Sequence, residues 1–336
     1  MTRLKLGVSV EKLQLAQPFR ISGRIFDSAD AIVVTLDDGA CVGRGEATGV
    51  YYLGDDLANM LAQLGQAHDA IEAGPSRAEL RSILPAGGAR NAVDAALWEL
   101  ESKRTGRPVW ALAGLEPPRP LRTTFTVGAG DPADMAAAAT AYAHARSIKI
   151  KLTGDLDLDI ARVGAIRAAR PDVWLGVDAN QGFAIGDLDA LAAAMVAAGV
   201  SLIEQPLARG READLDGYRS PIPLAADESA LTLGDVAGLK GRFDVFNIKL
   251  DKCGGLTEAL LIAEAARDAG LGVMVGCMVC TSLGAAPGFV AGQLCDLVDL
   301  DGPLFLAHDR SPGVTYSDGT IWCDETVWGA REPATV

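Results

Sequence analysis

The sequence has no excess of basic charge and no long apolar segment. Its 336 residues include 44 acidic and 30 basic ones, for a formal net charge of −14, so it has no basic footprint for nucleic acid or an anionic membrane. The longest apolar run, Ala190 to Val200, is too short to span a bilayer. The amino end shows neither an apolar signal-peptide core nor a small-residue cleavage site. We therefore expect a cytoplasmic protein that binds neither nucleic acid nor membrane.

The six cysteines form no recognisable disulfide or zinc pattern. Cys277 and Cys280 make one C-x-x-C pair, but no second pair or nearby histidine completes a zinc ligand set. Scattered thiols of this kind are expected to be reduced and largely buried.

Residues 1–115 have an α+β pattern. Two strand signals flank a hairpin turn at Asp37-Asp38-Gly39-Ala40, and two loops, 18–30 and 47–55, separate the strands and helices. The loops carry Arg20, Arg24, Tyr51 and Tyr52. The predicted strands cover 4–15, 31–36 and 41–46, and the predicted helices 56–72 and 89–103. A proline-rich linker at 114–120 ends this unit.

From residue 121 the pattern alternates between strand and helix. Eight candidate strands leave seven gaps that can hold a helix, which favours a closed (β/α) barrel over a doubly wound open sheet. The candidate strands are 123–127, 147–152, 174–178, 201–204, 224–227, 245–250, 272–276 and 297–301. We expect the barrel to cover 116–304, and part of the tail 305–336 to complete the amino-terminal unit.

Three successive candidate strands each end in a carboxylate. Asp178, Glu204 and Asp227 follow apolar strand residues at intervals of one βα unit. Because the chemistry of such barrels lies at the carboxyl ends of the strands, the three should lie side by side on one rim. Carboxylates crowded together need a cation, and ligands that are all oxygen select a hard ion such as Mg²⁺. Capping of the following helices is the structural alternative.

Lysines and further acids are predicted on the same rim. Lys149 and Lys151 are two apart in one strand, so they share a face, and Ile148 and Ile150 point the other way. Lys249 ends the sixth strand, which stands opposite the second, and the period of two places Asn247 and Asp251 on the Lys249 face. The eighth strand ends in Asp299-x-Asp301, which could hold a substrate cation.

These motifs resemble those of the enolase superfamily. Lys149-x-Lys151, the three acids, and Asn247-Ile-Lys249 are similar to the muconate-lactonizing-enzyme subgroup, and Asp299-x-Asp301 to its dipeptide epimerases, above all the L-Ala-D/L-Glu epimerases. The resemblance covers nearly the whole chain. It implies an α/β fold, a modified TIM barrel of the (β/α)₇β type beneath an amino-terminal α+β capping domain. It also implies one Mg²⁺ per subunit, bound by Asp178, Glu204 and Asp227.

The resemblance further implies a role for each site residue. Lys151 and Lys249 act as acid and base on opposite faces of the substrate α-carbon, and Lys149 tunes Lys151 and helps bind the carboxylate. Asp299 and Asp301 hold an α-ammonium group, and Arg24 meets a glutamyl carboxylate. Tyr51, Cys277 and Met278 are further expected substrate contacts. A lysine base must be neutral, and a neighbouring cation such as Lys149 favours that state.

The expected reaction is Mg²⁺-dependent inversion of the carboxyl-terminal α-carbon of a dipeptide through an enediolate, from L-Ala-L-Glu to L-Ala-D-Glu in peptidoglycan peptide metabolism. The enzyme is expected to be a homo-oligomer. Alternatives are cycloisomerisation or β-elimination, as in muconate cycloisomerase and o-succinylbenzoate synthase, and N-acylamino-acid racemisation. Asp299-x-Asp301 argues against all of these because their substrates carry no ammonium group. A non-catalytic metal- or metabolite-binding barrel is disfavoured by the three lysines.

Overall fold

The structure is a computed structural model that describes residues 3–21 and 24–330, with side chains described at 3–20 and 25–330. An antiparallel sheet with the order β1-β2-β3 forms the first part of the chain. Its strands are β1 (Lys5–Ile21), β2 (Arg24–Asp37) and β3 (Val42–Ala47). Five helices follow: α1 (Leu57–Gln66), α2 (His68–Glu72), α3 (Arg77–Ile83), α4 (Gly88–Thr105) and α5 (Val109–Leu112).

The region predicted as a loop over 18–30 is instead the end of a long hairpin. β1 and β2 stay paired from Lys5–Asp37 to Ile21–Arg24, with an irregularity between Gln14 and Phe19. Backbone pairing across the ribbon supplies the hydrogen bonds of this segment. The sequence pattern assigned these residues to a loop, whereas the structure pairs β1 with β2 over most of them.

Helix α4 lies against strand β3 at two glycines. An ideal Cβ placed on Gly43 would lie 2.0 Å from the carbonyl oxygen of Ala96, and one on Gly45 would lie 2.0 Å from that of Ala92. Both positions therefore need a residue without a side chain, because the helix backbone occupies that space. This contact brings the sheet and α4 close enough to share one core, which includes Ile32, Val34 and Leu36.

Gly45→Ala is expected to destabilise the protein by about 1–3 kcal/mol, because α4 must move away from β3 to admit the methyl group. Gly65→Ala is the matched control. Gly65 lies in α1 with open space around its Cβ position, so alanine should stabilise by about 0.5–1 kcal/mol through helix propensity. Urea unfolding of both variants measures the two changes. A Gly45→Ala protein as stable as the wild type would contradict the packing argument.

The rest of the chain forms the predicted barrel. Eight strands lie in one sheet with the order β12-β11-β10-β9-β8-β7-β6-β5, and neighbouring strands pair in parallel. The first and last strands meet where the Thr124 amide donates to the Val298 carbonyl oxygen at 3.0 Å. The sheet is thus a nearly closed barrel, and the predicted α/β fold class is confirmed.

The barrel elements follow a short strand, β4 (Leu121–Arg122). The strands are β5 (Phe125–Val127), β6 (Ser147–Lys151), β7 (Trp174–Asp178), β8 (Val200–Glu204), β9 (Leu224–Ala226), β10 (Val245–Lys249), β11 (Gly272–Gly276) and β12 (Leu297–Asp299). The helices are α6 (Pro132–Ala141), α7 (Leu156–Ala169), α8 (Leu188–Ala197), α9 (Val236–Leu239), α10 (Leu250–Cys253), α11 (Leu256–Asp268) and α12 (Ser282–Gly292). Among the helices of the described residues, none is long and apolar enough to cross a membrane.

The tail contacts both parts of the chain. Strands β13 (Thr315–Ser317) and β14 (Thr320–Trp322) form a small sheet with β4. Two other tail residues contact the amino-terminal sheet. The Arg310 guanidinium binds the carboxylates of Glu11 and Glu46 at 2.7 and 2.9 Å, and the Trp328 indole donates to the Arg44 carbonyl oxygen at 3.1 Å. The tail therefore contacts the amino-terminal sheet, while the domain boundaries, including the assignment of part of 305–336 to the amino-terminal unit, remain a prediction.

Candidate active site

Three carboxylates meet at the carboxyl ends of β7, β8 and β9. Asp178, Glu204 and Asp227 each offer an oxygen, and these oxygens all lie within 4.8 Å of one another. The parallel register places Asp178 opposite Glu204 and Glu204 opposite Ala225, so Asp227 lies just beyond the paired end of β9. All three side chains are buried. The rim predicted from the strand ends is therefore present.

The electrostatics of these carboxylates fit a bound cation. Burial, together with the charges of Asp178 and Asp227, raises the pKa of Glu204 to about 7, although Lys149 opposes this. Burial also acts against ionisation of Asp178, but the ammonium groups of Lys151 and Lys149 lower its pKa to about 2. Three buried carboxylate oxygens at this spacing suit a hard divalent ion such as Mg²⁺. The residues present thus fit the predicted metal.

Lys149 and Lys151 both reach these acids from β6. The Lys149 Nζ lies 2.7 Å from Asp299 Oδ2, 2.8 Å from Glu204 Oε2 and 3.2 Å from Asp178 Oδ2. Burial works to lower the pKa of Lys149, but these carboxylates outweigh it and hold the pKa well above its usual range. The Lys151 Nζ donates to Asp178 Oδ2 at 2.6 Å. Ile148 and Ile150 point away into the core, as their alternation predicts.

Lys249 ends β10 on the opposite side of the barrel. Its Nζ donates to Asp227 Oδ2 at 2.6 Å. Burial works to lower the pKa of Lys249, but the Asp227 charge raises it well above its usual range. Asn247 shares the face of Lys249 as predicted, because its side-chain amide donates to Glu204 Oε1 at 2.9 Å.

The prediction that Asp251 also lies on that face is wrong. Strand β10 stops at Lys249, and α10 begins at Leu250, so the period of two no longer applies. The helical turn directs Asp251 to the amino-terminal sheet, where its Oδ1 accepts from the amides of Thr48 and Gly49 at 3.0 and 2.9 Å.

The Asp299-x-Asp301 pair is buried between the first and last barrel strands. Asp299 binds Lys149 and accepts from the Thr124 hydroxyl, and Asp301 accepts from the Thr126 amide at 2.6 Å. Burial and the Asp299 charge raise the pKa of Asp301 to about 7. Burial works to raise the pKa of Asp299, but the charge of Lys149 and the hydrogen bond that Lys149 donates lower it. One carboxyl of the pair is thus far more acidic than the other.

A cavity of about 650 Å³ lies between the barrel rim and the amino-terminal sheet. Its wall includes Lys151 and Lys249 from the barrel, and Tyr51, Cys277 and Met278 among the predicted substrate contacts. An apolar wall comes from the hairpin, the segment after β3 and α1, through Phe19, Phe26, Tyr52, Leu57 and Leu61. The Arg24 backbone belongs to β2, but its side chain lies outside the described residues, so its predicted contact stays a prediction.

The chain matches two family models in sequence. Residues 5–114 match the amino-terminal domain of mandelate racemase and muconate lactonizing enzyme, and residues 133–321 match the enolase C-terminal domain-like family. The chain belongs to the enolase superfamily. The site just described thus lies at the mouth of the barrel, beneath the amino-terminal domain of residues 5–114.

Curated relatives place it further within the superfamily. It is 39% identical to the L-Ala-D/L-Glu epimerase of Escherichia coli K12 over 93% of this chain and 97% of the relative. It is 41% identical to the N-acetyl-D-glutamate racemase of a Pseudoalteromonas species over 75% of this chain and 79% of the relative. The protein is therefore an enzyme, an isomerase of the racemase and epimerase class.

Solved structures of similar fold contain dipeptides. An enolase family member from Agrobacterium tumefaciens with homology to dipeptide epimerases, bound to sodium and L-Ala-L-Glu, is 39% identical with a TM-score of 0.93, covering 97% of this chain and 100% of that one. A dipeptide epimerase from Methylococcus capsulatus with Mg and L-Arg-D-Lys is 30% identical with a TM-score of 0.89, covering 96% and 97%. The chain thus groups with the dipeptide epimerases of the superfamily.

Lys252 is a site residue that the sequence analysis missed. Its side chain is fully buried, and its Nζ donates to Asp227 Oδ1 and the Asp227 carbonyl oxygen, both at 2.6 Å, and to the Asn247 carbonyl oxygen at 2.9 Å. Asp227 is thus held by Lys252 through one oxygen and by Lys249 through the other. The only signal in the sequence was a lysine three residues after Lys249, which becomes meaningful once α10 is known to be helical.

Asp251→Asn is expected to stabilise the enzyme at pH 8 and to leave it unchanged near pH 4. Burial raises the pKa of Asp251 from 3.8 to about 7, although the two amides lower it, and Asp55 and Glu46 add to the rise. The folded protein holds this proton more tightly than the unfolded chain, so the stability it contributes is full below pH 3.8 and is lost as the pH rises through 7.

Asparagine keeps an Oδ1 acceptor and carries no charge, so it avoids that loss. The expected gain at pH 8 is about 1–3 kcal/mol, measured by urea unfolding at both pH values. A variant less stable than the wild type at pH 8 would show that ionised Asp251 is stabilising.

Proposed function

We propose that this enzyme is a Mg²⁺-dependent dipeptide epimerase that inverts the α-carbon of the carboxyl-terminal residue, with L-Ala-L-Glu and L-Ala-D-Glu as the substrate pair. The observation that carries the proposal is the placement of Lys151 and Lys249 on opposite sides of one cavity, each beside a carboxylate of the buried triad. One lysine as a neutral amine and the other as an ammonium group, on opposite faces, suit removal of one proton and return of another.

Asp178, Glu204 and Asp227 would hold the ion. When bound, Mg²⁺ supplies positive charge that stabilises the negative charge developing on the substrate carboxylate. Lys149, between Glu204 and Asp299, would remain an ammonium group and add a fixed positive charge beside Lys151. Of the two proposed acid/base residues, one takes the α-proton and the other donates from the opposite face, so the centre inverts. Closure of the cavity by the amino-terminal sheet would exclude water.

Asp299 and Asp301 would bind the α-ammonium group of the dipeptide. They lie at the carboxyl end of β12, one strand beyond the end of β11, where Cys277 and Met278 begin the cavity wall. Cys277 links the two places, because its Sγ lies 3.6 Å from the Asp299 carbonyl oxygen. An amine held there and a carboxylate held beside Lys149 and Lys151 would define the length of a dipeptide.

The experiment that tests the proposal is α-proton exchange of L-Ala-L-Glu in deuterated water with Mg²⁺, followed by NMR and chiral chromatography. Deuterium at the glutamyl α-carbon with formation of L-Ala-D-Glu is the expected result. Absence of exchange and of epimer with every member of a dipeptide library would refute it.

N-acylamino-acid racemisation is the second candidate, supported by the similarity to an N-acetyl-D-glutamate racemase. Such a substrate has no free amine for Asp299 and Asp301. Parallel assays with N-acetyl-L-glutamate and L-Ala-L-Glu therefore separate the two. The dipeptide proposal requires the larger kcat/KM for the dipeptide, and requires Asp301→Asn to lower kcat/KM for the dipeptide more than for the N-acetyl compound.

A further inference from the structure

The segment after β3 is tied to the end of β10 by a single carboxylate. Asp251 Oδ1 accepts from both the Thr48 and the Gly49 amides, and the Asp251 side chain is buried. Gly49 has a φ of +70°, and a Cβ there would lie 2.2 Å from the Asp55 carbonyl oxygen, so only glycine fits this turn. One barrel residue thus fixes where this segment, residues 48–55, leaves the sheet.

Other hydrogen bonds of this segment are made within the segment or with the amino-terminal domain. The Val50 amide donates to the Asp55 carbonyl oxygen at 2.9 Å, and the Asp55 amide returns a bond to Val50 at 3.3 Å. Asp55 Oδ2 accepts from the Gly88 amide at the start of α4 at 2.7 Å. The hydrogen bonds that Asp251 accepts hold this compact turn against the barrel.

The turn places Tyr52 in the wall of the cavity. Tyr52 lines the cavity with Lys249 and Asp227, and its buried hydroxyl has no hydrogen-bond partner among the described residues. Burial raises the pKa of Tyr52 well above its usual range, with Asp227 adding to the rise and Lys249 opposing it. A buried hydroxyl beside the acid/base residue and without a protein partner is costly unless a ligand supplies one.

We propose that Asp251 is a positioning residue that clamps the 48–55 segment to the barrel, so that the Tyr52 hydroxyl forms a hydrogen bond with the bound substrate. Asp251 follows Lys249 by two residues on the turn α10. The same turn of chain therefore places Lys249 on one wall of the cavity. Through the clamp it also positions Tyr52 on the other wall. The substrate contact rests on the function proposed above, whereas the clamp does not.

Hydrogen exchange tests the clamp without any assay of activity. In Asp251→Ala, the Thr48 and Gly49 amides should exchange roughly ten-fold faster or more, because both lose their acceptor. In Asp251→Asn they should stay as protected as in the wild type, since the amide oxygen replaces the carboxylate oxygen. Asp309→Ala is the matched control. Asp309 accepts from the Ser282 amide at 2.8 Å and joins the tail to α12, so its loss should leave the 48–55 amides unchanged.

Kinetics test the role of Tyr52. Tyr52→Phe should lower kcat/KM for L-Ala-L-Glu by roughly 5- to 30-fold, the effect of one lost hydrogen bond, with no fall in Tm. Asp251→Ala should give a similar loss, Asp251→Asn should restore wild-type kinetics, and the double variant Tyr52→Phe/Asp251→Ala should lose little more than either single one.

The outcomes separate the possibilities. Amides that stay protected in Asp251→Ala, or an asparagine variant that fails to rescue, would overturn the clamp. Additive losses in the double variant, or a Tyr52→Phe enzyme with wild-type kcat/KM, would overturn the role assigned to Tyr52. A wild-type enzyme inactive on every dipeptide refutes the proposed function instead, and the exchange rates still decide the clamp.

Discussion

Lys151→Met is expected to abolish epimerisation while leaving α-proton exchange with one of the two epimers. β6 and β10 lie four places apart in the eight-stranded order, which puts Lys151 and Lys249 on opposite sides of the barrel. Each lysine then serves one face of the α-carbon. Inversion needs both, but proton removal from a given epimer needs only the lysine on its side.

The size of the effect follows from the acid/base role. Loss of a positioned general acid or base typically slows a reaction by about 10²–10⁴-fold, so kcat for epimerisation should fall at least that far in either lysine variant. The residual exchange should be reciprocal: the epimer that Lys151→Met still exchanges is the one that Lys249→Met does not. Deuterium incorporation into each pure epimer, followed by NMR, measures both.

Methionine keeps the length of the side chain and removes its charge, so a folding defect is checked with Lys240→Met. Lys240 is exposed, outside the cavity, and this control should retain full activity. Epimerisation at the wild-type rate in Lys151→Met, or loss of exchange with the same epimer in both lysine variants, would contradict the two-sided arrangement.

Glu204→Gln is expected to remove both Mg²⁺ binding and activity while the chain remains folded. Glutamine has nearly the same shape but weakens the central member of the triad, which sits between the β7 and β9 carboxylates. Even outer partners of metal ligands change affinity by about 10–100-fold, so loss of the ligand charge itself should weaken Mg²⁺ by roughly 100-fold or more. Loss of activity should follow at Mg²⁺ concentrations that saturate the wild type.

Metal binding has a readout apart from activity. A ligand at 100 times its Kd stabilises the folded state by about 2.7 kcal/mol, so Mg²⁺ should raise the Tm of the wild type and EDTA should reverse the rise. In Glu204→Gln that rise should vanish. Glu264→Gln, which changes an exposed glutamate of α11, should respond like the wild type. A Mg²⁺-dependent Tm rise of wild-type size in Glu204→Gln would show that the ion binds elsewhere.

Much of the barrel was predictable because it follows from local patterns. The barrel strands are short segments rich in apolar residues, and each predicted barrel strand overlaps an observed one. The triad followed from the rule that strand ends of one barrel share a rim, and the pairing of Lys149 with Lys151 from the period of two. Neither rule needs any knowledge of distant contacts.

The long hairpin and the turn after β10 were not predictable in this way. The end of the hairpin is held by backbone pairing between β1 and β2, across residues that the sequence pattern assigned to a loop. At Lys249 the chain passes directly from strand to helix, so the period changes within one residue. Because of that change, Asp251 points to the amino-terminal sheet and Lys252 binds Asp227. The strand period had instead predicted that Asp251 lies beside Lys249.

The sequence alone determined which residues stand at the barrel rim and which of them share a strand face, because those properties depend on spacing along one strand. Only the tertiary structure decided which charges become partners. Lys149 binds Asp299 across the closing strands, Lys252 binds Asp227, and Asp251 binds the segment that carries Tyr52. These contacts join residues far apart in the chain, and they depend on barrel closure, strand register and the docking of a second domain, none of which a local pattern contains.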